Sequence, residues 1–152
     1  MQDQPELKFR KTLEYIRLHF GFLFKRGYRI AAVLLAGQNN EDWQVTLMAN
    51  NCLIDIYGEQ DVINLAVGII IQPRHESNFF DLEYLAQSIG NGMDFSYKQA
   101  KFPATEDQQL ERIAGFLNSH FAAILAQVEK ENLPPLPLSL QKPAAQQKWT
   151  IT

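Results

Sequence analysis

From Trp43 to Ile71 the apolar side chains recur at every second position, whereas before Gly27 and after Thr105 they recur three and four apart. A strand turns successive side chains to opposite faces and a helix returns them to one face every three or four residues. The chain must therefore run helix, then strands, then helix, and that order leaves few architectures open.

The first helical pattern extends from Pro5 to Arg26. Phe9, Leu13, Ile16, Phe20 and Leu23 fall on one stripe, Phe24 widens it, and Tyr15, Leu18 and Phe22 lie outside it. Lys25 and Arg26 complement the negative end of the helix dipole, and Gly27 suits the left-handed cap. A first strand follows over Tyr28–Ala36, closed by a loop through Glu41. Trp43, Val45 and Leu47 then alternate with Gln44 and Thr46. Asn50-Asn51 predicts a tight hairpin turn, because asparagine tolerates positive φ. Cys52, Ile54 and Ile56 share the next face, with Asp55 and Tyr57 opposite. After a turn at Gly58–Asp61, a long last strand carries Ile63, Leu65, Val67, Ile69 and Ile71, with Gly68 as a candidate bulge and Pro73 as its stop.

A short helix is expected over Asn78–Ile89, stopped by Gly90-Asn91-Gly92. A third begins at the capping pair Thr105/Gln108 and carries Leu110, Ile113, Ala114, Leu117, Phe121, Ile124, Leu125 and Val128 before ending near Asn132. Beyond it, 133–152 starts with Leu-Pro-Pro-Leu-Pro-Leu, an extended polyproline-like tail outside the core pattern. Pro134 and Pro137 satisfy PxxP without the flanking arginine such ligands use, so a linker is the simpler reading. The expected fold is α+β: a four-stranded antiparallel meander, with an N-terminal helix and two C-terminal helices mainly on one face. It occupies 1–132 as a single domain.

Charge is distributed unevenly over this frame. The first 29 residues hold seven bases against three acids, about +4, and the remainder about −7, together the net −3 of the whole chain. From Ile30 to Tyr97 nine carboxylates face one base, Arg74. Acidic surfaces of this kind steer basic partners, and a chain of pI near 5.6 is a poor non-specific ligand for nucleic acid. The bases of the first helix, Lys8, Arg10, Lys11, Arg17, Lys25 and Arg26, are spread around its polar sides. They are expected to complement the acidic sheet internally.

No catalytic constellation, and so no enzymatic activity, can be read from the residues. His19 and His120 lack a second ligand at helical spacing, no metal or cofactor is implied, and Cys52 lies in phase with the core face as an inert thiol. A single cysteine, an N-terminus without a basic leader and the lack of a long apolar run point to a cytoplasmic protein. The candidate partner-binding acids are Asp55, Glu59, Asp61, Glu41 and Asp42. Arg74, His75 and Tyr97 are the candidate polar groups of a small-ligand pocket between sheet and helices.

The pattern resembles small bacterial α+β proteins of the toxin-immunity type over roughly the first 90 residues. The likeness lies in Phe20–Phe24 and Gly27-Tyr28, then in Trp43–Leu47, Ile54–Tyr57, Asp61–Gly68 and Phe79–Leu85. It implies a stoichiometric, non-enzymatic binder of a basic protein, with Asp55, Glu59 and Asp61 in contact. Two other roles compete with it: a small-molecule-binding domain with a pocket between sheet and helices, and a subunit of a homo-oligomer or larger assembly joined through the broad apolar surface of the first helix.

Overall fold

The computed structural model describes residues 5–37, 42–59, 62–70, 79–90 and 105–132. Glu41, Asp61, Ile71, Pro73, Arg74, His75, Tyr97 and the tail 133–152 lie outside the described residues. The order is α1 (Pro5–His19), α2 (Gly21–Lys25), β1 (Arg29–Ala36), β2 (Asp42–Ala49), β3 (Cys52–Glu59), β4 (Val62–Ile69), β5 (Phe79–Asp81), α3 (Leu82–Ser88), α4 (Glu106–Ser119) and α5 (Phe121–Glu131). It is an α+β fold with one antiparallel sheet in the order β1-β2-β3-β4-β5.

The sheet has five strands, one more than the periodicity predicts. Phe79–Asp81, expected as the first turn of a helix, instead pairs with β4, Phe80 opposite Val67 and Asp81 opposite Ala66. Asp81 keeps an extended backbone (φ −62°, ψ 146°) as the N-cap of α3, so the helix starts at Leu82. Two bonded pairs of aromatic and apolar residues outweigh one more helical turn here.

Both long helical patterns are divided. At Phe20 (φ −101°, ψ 20°) and at His120 (φ −121°, ψ 21°) the backbone leaves helical ψ. Leu23 N–H then bonds to Phe20 C=O at 2.9 Å, a tight three-residue turn that separates α2 from α1. The turn re-aims the segment after it. Phe20 and Leu23 are fully buried, while Phe22, outside the stripe of a straight helix, meets Phe121 edge-on at 6.2 Å. At the end of α2, Gly27 (φ 95°) donates to Phe24 C=O and Tyr28 donates to Leu23 C=O, both at 3.1 Å, which is the Schellman pattern expected of this glycine. The Thr105/Gln108 box closes α4 as the sequence predicts, with reciprocal bonds of 3.0 and 3.1 Å.

Strand register sorts the side chains into two sets. Leu47, Ile54 and Val67 lie in one cross-strand row, Val45, Ile56 and Leu65 in the next, and Trp43, Gly58 and Ile63 in a third. All of these except Gly58 form one buried cluster with Ile16, Phe20, Leu23, Leu82, Leu85, Leu110, Ile113, Leu117 and Ile124 of the helices. At Gly58 a Cβ would stand 2.6 Å from the Trp43 indole, so the glycine is required by the ring lying across it. The anticipated bulge at Gly68 is absent, since Gly68 pairs regularly with Leu53 and Phe79. The register shift instead falls in β1, between Ile30 and Ala32. Asn50 takes positive φ (54°), as the two-residue turn between Ala49 and Cys52 requires. Gln109 of α4 is buried and accepts from Ile63 N–H at 2.8 Å, tying that helix to β4.

Candidate functional site

The second set of strand residues forms the other face of the sheet. Its rows run Ala32–Thr46–Asp55–Ala66–Asp81 and Leu34–Gln44–Tyr57–Asn64, with the pairs Ala36–Asp42 and Glu59–Val62 further along the same face. The register therefore brings Asp42, Asp55, Glu59 and Asp81 onto one face, and the one strand base, Arg29, sits at its far edge opposite Met48. Three of these acids were expected as partner contacts from the sequence. Glu41 and Asp61, the other two, fall outside the described residues.

Tyr57 is at the centre. Its hydroxyl donates to Asp81 Oδ1 at 3.1 Å. Its pKa is pushed up to about 12, first by burial and then by the negative charge of Asp81, its hydrogen bond to that carboxylate, and the charges of Asp55 and Glu59. One phenol thus senses three carboxylates, two from its own strand β3 and one from the β5–α3 junction. Asp81 caps α3 by backbone geometry while its side chain makes no capping bond; it serves Tyr57 instead.

The acids are not equivalent. Glu59 and Asp81 are exposed, whereas Asp55 is 8% exposed and accepts from Thr46 Oγ1 at 2.7 Å. Of the expected contact acids among the described residues, Asp55 is thus the one whose side chain is largely covered and already bonded within the sheet. The Thr46 hydroxyl supplies the hydrogen bond that a covered carboxylate requires. Asp42 is half-buried, and its carboxylate lies 3.0 Å from where a Cβ on Gly37 would be. Beside Tyr57 the face dips into a shallow depression of about 300 Å³ walled by Leu34, Ala36, Asp42 and Glu59.

On the helical side, α1 is tied to α4. Thr12 donates to Glu106, and His19 Nε2 contacts Asp107. The histidine expected as a packing residue is thus an inter-helix tie, and His120 lies against Phe116 at 4.5 Å.

A second concavity, about 280 Å³, opens where the β2–β3 turn meets α5. Phe121, Leu125 and Ile69 line it with Arg26, Tyr28 and Cys52. Arg26 lies 4.5 Å over the Phe121 ring, a cation–π contact. Burial raises both the Tyr28 phenol and the Cys52 thiol, and the Tyr28–Cys52 hydrogen bond raises the phenol further while partly offsetting the thiol's shift. Cys52 is half-buried rather than sealed in the core, yet its raised pKa suppresses the thiolate. Arg74, His75 and Tyr97, the sequence candidates for a pocket, lie outside the described residues. Among the described residues no group of three or more His, Cys, Asp or Glu side chains could hold a metal ion. No described helix is long and apolar enough to cross a membrane.

Compared with known protein families, curated proteins and solved structures, the chain matches none.

Asp81 is the site residue missed by sequence reasoning. It lies 24 positions from Tyr57, and only the pairing of the short β5 brings it near. The sequence Phe79-Phe80-Asp81 has no alternation that marks a strand, and it is expected as the start of a helix.

Proposed function

We propose that the chain is a non-enzymatic protein-binding module that presents an acidic face to a basic partner, in the manner of an immunity protein or an adaptor. The observation that carries this reading is the gathering of Asp55, Glu59 and Asp81 around Tyr57. In this reading the helices cover one side of the sheet and the partner takes the other. Glu59 and Asp81 make the contacts, Tyr57 supplies a rigid aromatic surface, and Asp55 adds charge from within. Tyrosine flanked by acids suits the long aliphatic stems and charged heads of lysine and arginine.

Capture from a lysate of the source cells, washed at rising salt, tests it. The expected result is a basic protein held at low salt and released as the Debye length falls from about 30 Å at 0.01 M to about 10 Å at 0.1 M. Glu59→Lys with Asp81→Lys abolishes capture, while Glu111→Lys on exposed α4 leaves it intact. Capture that survives both salt and the double reversal would overturn the reading.

The 280 Å³ cleft favours a second reading, a site for a small anion with an apolar body, held by Arg26 against the Phe121–Leu125 floor. Screening small carboxylates for a rise in thermal midpoint, lost in Arg26→Ala, tests that alternative.

A further inference from the structure

The two edges of the sheet are unlike. β5 ends it with three residues, the short edge by which proteins avoid unwanted pairing, whereas β1 ends it with eight. No described strand pairs with the outer side of β1. From Ile30 to Ala36 that strand carries no charge and no proline, the usual guards of an edge. It also carries two of the five exposed large apolar side chains among the described residues, Val33 at 45% and Leu34 at 59%, which point to opposite faces. The broad apolar surface of the first helix, by contrast, is largely used internally: Phe9, Ile16 and Phe20 are buried, and Leu18 is its one large apolar side chain left exposed among the described residues.

We propose that β1 pairs with β1 of a second copy of this chain, antiparallel about a twofold axis at Leu34, joining two sheets into one. A twofold axis through identical edge strands can only pair them antiparallel. The segment Ala32-Val33-Leu34-Leu35-Ala36 reads almost the same in both directions. With Leu34 opposite Leu34 of the second copy, Ala32 meets Ala36 and Val33 meets Leu35. Small side chains face small, large face large, and each pair shares a face because the bulge lies outside the segment, before Ala32. An uncharged strand offers a basic partner nothing to pair with, and it meets its own copy without repulsion. Leu34 and Ala36 also wall the depression beside Tyr57, so the second copy closes its open side and sets two acidic faces on one side of a continuous sheet.

Sedimentation or light scattering of the full chain over a range of concentrations tests this, independently of the acidic-face reading. The expected result is a concentration-dependent species of twice the 17.4 kDa chain mass. Leu34→Lys, at an exposed position and with an unchanged circular dichroism spectrum, weakens the dimer at least about tenfold by placing like charges opposite each other. In a Cys52→Ala background, Leu34→Cys forms a disulfide-linked dimer under mild oxidation, and Val62→Cys, exposed on the same face but in β4, does not. A monomer at every concentration overturns the proposal, as does a dimer indifferent to Leu34→Lys. A monomer whose β1 amides resist hydrogen exchange overturns it in favour of a segment of the same chain along the edge. Loss of basic-partner capture in the Glu59/Asp81 reversal, with the dimer unchanged, separates the two readings.

Discussion

Replacing Asp81 by asparagine isolates the electrostatics on which the acidic face depends. The side chain keeps its shape and an oxygen that can accept from Tyr57, and loses one negative charge. In the folded protein Tyr57 titrates at about 12, against 10.0 for the free side chain, and Asp81 is the largest cause after burial. Its Oδ1 is 3.1 Å from the phenolic oxygen. At that separation, with water-like screening appropriate to an exposed carboxylate, Coulomb's law gives about 1.3 kcal/mol, or about one pKa unit. Asp81→Asn should therefore bring Tyr57 down to about 11. Phenolate absorbance measured across alkaline pH reads this directly, with Tyr57→Phe subtracted to remove the other four of the five tyrosines. The sign for stability follows. A folded-state pKa above the unfolded value means the native state holds its proton longer, so the stability contributed by neutral Tyr57 is present below pH 10.0 and is lost as pH rises through about 12. In Asp81→Asn that loss is smaller. Tyr57 titrating near its free value in the wild type, or a titration unmoved by the substitution, would refute the arrangement of carboxylates around the ring.

Three other substitutions or treatments probe the scaffold. Gly58→Ala forces the Trp43 indole away from a contact of 2.6 Å and should cost roughly 1–3 kcal/mol by denaturant unfolding, with altered tryptophan fluorescence in the folded state. Gln109→Ala leaves the Ile63 amide without its acceptor and should destabilise by about 1–3 kcal/mol, with faster hydrogen exchange at Ile63 than at its β4 neighbours. Cys52 should react with a thiol reagent at neutral pH far more slowly than free cysteine, and Tyr28→Phe should slow it further, because the Tyr28 hydrogen bond is what holds the thiol's pKa down against burial.

Local signals in this chain were read correctly where they act locally. The alternation from Trp43 to Glu59, the αL turn at Asn50, the Schellman glycine at position 27 and the Thr105/Gln108 box all depend on neighbours within a few residues, and each takes the expected form. The divisions at Phe20 and His120 were not legible. A kink is decided by what the following side chain can reach, and Phe22 reaches Phe121 across the molecule. The fifth strand was missed for the same reason, since three residues carry too little periodicity to distinguish a strand from a helical turn. Of the acids in the expected contact set, Asp42, Asp55 and Glu59 do share a face, as alternation in β2 and β3 allows. Sequence could not show that Thr46 would occupy Asp55 or that Asp81 would join them.

The succession of helix, four-strand antiparallel meander and helix, and the choice of which strand residues enter the core, belong to the sequence itself, because backbone geometry turns a residue's position into a direction without reference to anything distant. Strand register, the fate of β1 as an unguarded edge and the meeting of Tyr57 with Asp81 were decided only by the tertiary structure. Each depends on which segments lie side by side, and that is set by the packing of the whole core, in which Trp43, Ile56, Leu65 and Ile113 are buried together.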